Sequence, residues 1–119
     1  CGSARVSQLT WGDAADGAAV CAKGPFDLIV GSDVVFASRF VGPLLESIAA
    51  LLAAAPEAAC WLCLQRRDPD AHEALLAQAP ALFRVRELSF DGLEGFETAA
   101  ELECVLVELR PKRRSAAAA

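Results

Sequence analysis

Asp33 closes an apolar run, Phe26 to Val30, after the small pair Gly31-Ser32, and Phe36 follows it by three residues. A carboxylate in that position can hold a cation, and in open α/β sheets the carboxyl ends of the strands are where ligands bind. The same acid could instead cap or turn the segment that follows. Its company favours the first alternative: Trp11, a large flat ring, stands just before Gly12-Asp13 and ends an apolar stretch of its own.

These groups need a scaffold, and the chain supplies one in short pieces. Arg5 to Trp11 places Val6, Leu9 and Trp11 in imperfect alternation and predicts a short strand. Residues 14–25, rich in Ala and Gly and ending at Pro25, predict a loop or frayed turn. Phe26 to Val30 is nearly all apolar, as suits an interior parallel strand covered on both faces. Val41, Leu44, Leu45, Ile48, Leu51 and Leu52 then recur at helical spacing. Ser38 is the expected N-cap, Pro43 is expected in the first turn, and Pro56 prevents continuation.

Ala59 to Gln65 predicts a second buried strand, ending at Arg66-Arg67-Asp68. Asp68-Pro69 is a helix start, with a capping acid and a proline at the first helical position. That helix is expected to reach Gln78 and stop near Pro80. Phe83 to Phe90 alternates charged and apolar residues like an edge strand, residues 91–103 are left unassigned, and Cys104 to Leu109 is the last strand. Alternating strand and helix in the middle require a parallel α/β sheet with right-handed crossovers. The last two strands, read without a helix between them, require an antiparallel pair. Residues 1–110 read as one domain, and residues 111–119, PKRRSAAAA, as a disordered tail.

Composition narrows the classes. The chain has 119 residues, 55% of them apolar, without an uninterrupted apolar run long enough to span a membrane. A net charge of −5 argues against nucleic acid as main partner, because phosphate binding needs a basic face. The 5 cysteines, scattered and with no secretory signal ahead of them, fit reduced thiols in the cytoplasm. There is no methionine, and the chain opens on Cys1-Gly2-Ser3, so the expectation is a fragment of a longer gene product. A processed mature chain is the alternative.

The α/β sheet closed by an antiparallel pair is similar to the C-terminal half of the Rossmann-like sheet in class I, seven-stranded S-adenosylmethionine-dependent methyltransferases. The pairing of Leu9-Thr10-Trp11-Gly12 with FDLIVGSDVVF, followed by Pro43-Leu44-Leu45 and a strand ending in Arg66-Arg67, resembles the methyltransferase-like 21 group of protein-lysine methyltransferases. The likeness covers roughly residues 5–110. It implies that Trp11 lies against the adenine of S-adenosylmethionine, and stacking of this kind is worth ~1–3 kcal/mol. Packing in the core is the other reading of Trp11. The resemblance also implies that Ser32, where the family usually has Ala, lines the cofactor site. Asp33 and Phe36 then form the acid-x-x-aromatic motif on the substrate side, with Asp33 binding the incoming ammonium and holding the amine in line. The family normally has Tyr at the last position, and Phe36 keeps the ring wall without the hydroxyl.

The family's glycine-rich loop and ribose-binding acid have no counterpart in this sequence and are expected upstream of Cys1. Residues 1–119 alone are therefore not expected to close the cofactor pocket. The implied partner is a lysine of a protein substrate, with chaperones and translation factors typical of the family, and neither nucleic acid nor membrane.

Other signals point less far. Cys60 and Cys63 form a CxxC, but residues three apart on a strand face opposite ways, so core packing is expected rather than a metal. His72 is expected to be solvated in a first helical turn, Arg66 and Arg67 to be a solvated strand end or an acidic-substrate contact, and Lys112 to Arg114 to be part of the tail. Two rival readings remain. One is a methyltransferase-like remnant that serves only as an interaction surface. The other is a phospho-acceptor receiver domain, disfavoured because only one short strand precedes Asp33.

Overall fold

The computed structural model describes residues 2–65, 68–90 and 92–112. Residues 5–11 are irregular, not a strand; the segment closes in a turn where the Asp13 N–H donates to the Thr10 carbonyl at 3.0 Å. Helix α1 (Ala14–Cys21) follows where a loop was expected. Asp13 caps it by accepting from the Asp16 N–H at 2.9 Å, and its alanines supply the highest helix propensity available. The capping acid ahead of an Ala-rich stretch was the signal; Gly17 and the weak amphipathicity obscured it.

Strand β1 (Leu28–Ser32) leads into helix α2 (Ser38–Leu52), whose six predicted stripe residues are all buried. Ala37, without a side-chain bond, is the N-cap in place of Ser38. Pro43 lies in the second turn rather than the first, and the helix passes through it. Strand β2 (Ala59–Gln65) has the predicted bounds. In helix α3 (Pro69–Leu82) Asp68 caps by accepting from the Ala71 N–H at 3.1 Å. The helix runs past Pro80 to Leu82, because packing of Leu75 and Ala79 against the sheet holds the last turn. Strand β3 (Phe83–Ser89) is followed by a short helix α4 (Glu97–Glu101), so the final pair of strands is not joined without a helix. Strand β4 (Cys104–Pro111) ends the described chain; residues 113–119, Cys1, and the Arg66-Arg67 pair lie outside it.

The four strands are ordered β1-β2-β4-β3. Strands β1 and β2 pair in parallel, Leu28 with Ala59 through Ser32 with Cys63. Strand β4 is antiparallel to both its neighbours, Cys60 facing Leu109 on one side and Phe83 facing Pro111 on the other. Three strands thus run one way and β4 the other, the α/β sheet with a terminal antiparallel pair that the sequence led us to expect. Helices α2 and α3 cover one face, where Val41, Leu45, Leu52, Leu62, Leu75, Val107 and Leu109 form the core.

The two edges differ. Strand β3 carries Arg84, Arg86 and Glu87, charges of the kind that keep an edge from pairing with other chains. Strand β1 is also an edge here, not interior as expected. It has no charge in Leu28–Ser32, and leaves Leu28 and Val30 exposed at 46% and 69% on the face away from the helices. On that same open face, the Trp61 indole N–H donates to Glu108 at 3.0 Å, and Arg110 pairs with Glu108 at 3.1 Å.

Two further side chains are settled by packing. His72 is mostly covered rather than solvated, because α3 turns it toward β3 and places Nε2 3.7 Å from Glu87. Cys60 is buried in the core, and burial pushes its thiol up to about 12.

An added Cβ on Gly17 meets nothing within 4 Å, so Gly17→Ala is expected to stabilise α1 by about 0.5–1 kcal/mol in urea unfolding. The carboxyl of Glu108 is held below its ordinary 4.5, first by the Arg110 hydrogen bond and then by Trp61. Its contribution is therefore complete above pH 4.5 and disappears as the pH falls through the lowered value. Glu108→Gln is expected to lower the urea midpoint near pH 6, with the gap from wild type shrinking toward pH 3 in urea titrations at the two pH values.

Candidate active site

The site begins with a glycine that has no room for a side chain. A Cβ on Gly31 would lie 3.0 Å from Leu62 and 3.3 Å from Val34, because the chain folds back on itself after β1. The fold-back happens at Asp33, whose φ of 57° is left-handed, a conformation that Asp tolerates better than most residues. The Asp33 N–H donates to the Cys63 carbonyl at 3.3 Å, one step past the end of the parallel ladder. Val34 and Val35 then pack against the core while the Asp33 side chain is left exposed at the carboxyl end of the sheet.

Phe36 emerges next, 55% exposed. Its ring centroid is 6.2 Å from that of Trp11 and 5.6 Å from that of Phe40, and the Arg39 guanidinium lies 4.6 Å over the Phe40 ring. Trp11 is half-buried against the core and positioned from both sides. The Gly12 N–H donates to Ser47 on α2 at 2.9 Å, and the Thr10 N–H to Asp16 on α1 at the same distance. The Thr10 contacts hold the Asp16 carboxyl below its usual range.

Asp33, Val35 and Phe36 share a cavity of about 210 Å³ with Gln65 and Asp68. The structure thus joins Asp33 to Phe36 in one cavity, and Phe36 to Trp11 by ring contact. Ser32 is exposed beside Asp33 but, like Trp11, does not line that cavity. Gln65 and Asp68 were not singled out as site residues. Asp68 reads from sequence as a cap, which it is, and only the end of β2 shows that it also faces the Asp33 cavity. Cys63 lies behind the site. Burial, then Cys104, then the Asp33 carboxylate raise its thiol above the ordinary range, so it stays protonated at neutral pH.

A cavity with an acid and an aromatic wall, at the carboxyl ends of parallel strands, can hold a cationic side chain against a flat neighbour. A family model described as lysine methyltransferase matches residues 2–78. The chain belongs to that lysine methyltransferase family. None of the curated proteins matches the chain. The match spans the Trp11 turn, α1, β1, α2, β2 and most of α3, and so contains every residue of the aromatic row and the cavity. Membership in the lysine methyltransferase family displaces the receiver reading of Asp33. Among the described residues no helix is long and apolar enough to cross a membrane.

Gly12 is the point on which the Trp11 placement turns. Its φ is +81°, and a Cβ there would lie 3.1 Å from the Pro43 Cβ. Gly12→Ala is expected to destabilise the protein by about 1–3 kcal/mol, from left-handed strain and the contact with Pro43. Thermal unfolding measures that loss, and Trp fluorescence should report a displaced indole.

Proposed function

We propose that the chain is the C-terminal part of an S-adenosylmethionine-dependent protein-lysine N-methyltransferase close to the methyltransferase-like 21 group. The observation that carries this reading is the row in which Phe36 joins the Asp33 cavity on one side to the Trp11 ring on the other. Fragment status is supported by β1: an uncharged strand with Leu28 and Val30 exposed has the character of an interior strand lacking a neighbour. Four free thiols among the described residues suit a reducing, cytoplasmic setting.

The half-buried Trp11, its ring tilted 46° from that of the exposed Phe36, fits the adenine side of the cofactor, and Ser32 would line the same site. When bound, that cofactor supplies a methyl group on a sulfonium, activated toward an amine. The residues of this chain prepare the amine. Asp33 attracts the lysine ammonium by charge, Phe36 and Val35 wall its aliphatic stem, and Asp68 faces the same cavity from the start of α3. An amine must lose its proton before it can attack; Asp33 is assigned to orienting the amine, and the proton leaves to solvent water or to that carboxylate. Holding nucleophile and methyl carbon in line then lowers the barrier by positioning. Chaperones and translation factors are the protein targets that the family resemblance suggests.

Methyl transfer by the complete protein, followed with labelled cofactor and lysine-containing protein, tests the reading. Asp33→Asn, which keeps a residue tolerant of the left-handed φ but removes the charge, is expected to reduce turnover at least ~100-fold while the melting curve stays in place, because positioning losses of this size follow small displacements. Unchanged turnover would remove Asp33 from the mechanism. The isolated 119-residue polypeptide is expected to show no tight cofactor binding by calorimetry.

A further inference from the structure

The connection between β3 and β4 displays apolar side chains in an ordered way. Leu93, Phe96 and Leu102 are 49%, 48% and 50% exposed. Two successive turns shape the segment: the Leu93 N–H donates to the Phe90 carbonyl and the Phe96 N–H to the Leu93 carbonyl, both at 3.2 Å. Gly92 and Gly95 supply the left-handed positions, with φ of 77° and 88°. Phe90 and Phe96 then stack, centroids 5.3 Å apart and planes 16° from parallel. The result is a built apolar patch left open to solvent, the kind of surface that marks an interaction site.

The patch is set among charges of one sign. Glu94, Glu97, Glu101 and Glu103 are all exposed, and Phe90 to Glu103 contains no Lys, Arg or His. Register fixes where it lies. Ser89 pairs with Val105 and Cys104 with Gln65, so both ends of the connection reach the end of the sheet at which Ser32 pairs with Cys63 and Asp33 emerges. At ~4.8 Å between strands, the connection begins ~10–15 Å across the sheet from Asp33, the reach of three to five residues of extended chain.

We propose that this connection docks the segment of the protein substrate that flanks its target lysine, and that this segment is basic with at least one apolar side chain. The inference rests on the reading of Asp33 as the lysine-binding acid. Charge complementarity selects the occupant: the glutamates repel nucleic acid and anionic membrane, and they attract Lys and Arg while Leu93 and Phe96 cover an apolar neighbour.

Fluorescence anisotropy of the protein with two short labelled peptides tests it. Both carry a central lysine and a leucine; one has arginines three to five residues away, the other glutamates. The basic peptide is expected to bind roughly tenfold tighter or better, with the margin falling as salt rises. Glu94→Lys combined with Glu97→Lys and Glu101→Lys should abolish the preference. Leu93→Ser with Phe96→Ser should weaken the basic peptide while leaving its salt dependence. Equal affinity for the two peptides, or an unchanged preference after charge reversal, overturns the proposal. Self-association of the protein through Leu93 and Phe96 with no peptide effect overturns it too, in favour of a second copy. Binding is read without methyl transfer, so the two readings separate. Selective binding with no methylation of any lysine leaves the docking surface and removes the role of Asp33. Equal methylation of both peptides keeps that role and overturns the docking surface.

Discussion

Everything at the site descends from how β1 ends. The Asp33 N–H is spent on the Cys63 carbonyl, so the backbone at this residue is tied to β2 while its φ of 57° reverses the chain. A left-handed non-glycine residue carries strain of order 1–3 kcal/mol and persists only where its surroundings over-determine it. Here they do: Val34 and Val35 pack inward, and Val34 occupies the space that a side chain on residue 31 would need. The carboxylate faces out because the two valines face in, and Phe36 reaches Trp11 for the same reason. The exposed Asp33 side chain contributes little to this arrangement, whereas Gly31, Val34 and the Cys63 carbonyl maintain it. Scaffold and chemistry are therefore carried by different groups on one short segment.

The sheet is asymmetric in a way that bears on what the chain is. At the β3 edge, arginines and a glutamate stand where pairing with another strand would be harmful. In Leu28–Ser32 nothing of the kind is present, and among the described residues no helix covers the face carrying Leu28 and Val30, unlike the face packed by α2 and α3. The open face still holds the Trp61–Glu108–Arg110 cluster, which satisfies its polar groups locally. The two edges therefore meet solvent differently, β3 with charge and β1 with exposed apolar side chains.

Much of this was legible in the sequence, and the failures have identifiable causes. The α2 stripe, the bounds of β2, the Asp68-Pro69 helix start and the terminal antiparallel pair follow from periodicity and capping chemistry. Boundaries at prolines were misread. Pro43 and Pro80 both lie inside helices, where tertiary packing outweighs the lost hydrogen bond. Residues 5–11 alternate like a strand but have no pairing partner among the described residues, and without ladder bonds alternation alone does not make a strand. The burial expected of β1 was correct as composition and wrong as surroundings. At the site, Asp33 and Phe36 were legible because strand, glycine and acid are contiguous. Asp68 and Gln65 were not, since their approach to Asp33 depends on the parallel register of β1 with β2.

The electrostatics of the carboxyl end of the sheet unify these pieces. Asp33 and Asp68 line the cavity there, and the Cys63 thiol nearby is kept neutral by burial and by its acidic neighbours, so it adds no charge of its own. Four exposed glutamates on the β3–β4 connection extend the same sign beyond the cavity. The charge at the cavity is mixed, since Arg66 and Arg67 stand in the sequence between the cavity residues Gln65 and Asp68, whereas Phe90 to Glu103 is acidic throughout, and the attraction of such a segment for a cationic partner reaches about 8–10 Å through physiological salt. At ~10–15 Å by strand spacing the connection lies just beyond that range, so it and the cavity act on a partner largely independently. On the proposed reading the acidic connection attracts the segment flanking a lysine, while Asp33 and Phe36 act on the lysine itself, so selectivity and chemistry fall to different parts of the same end of the sheet.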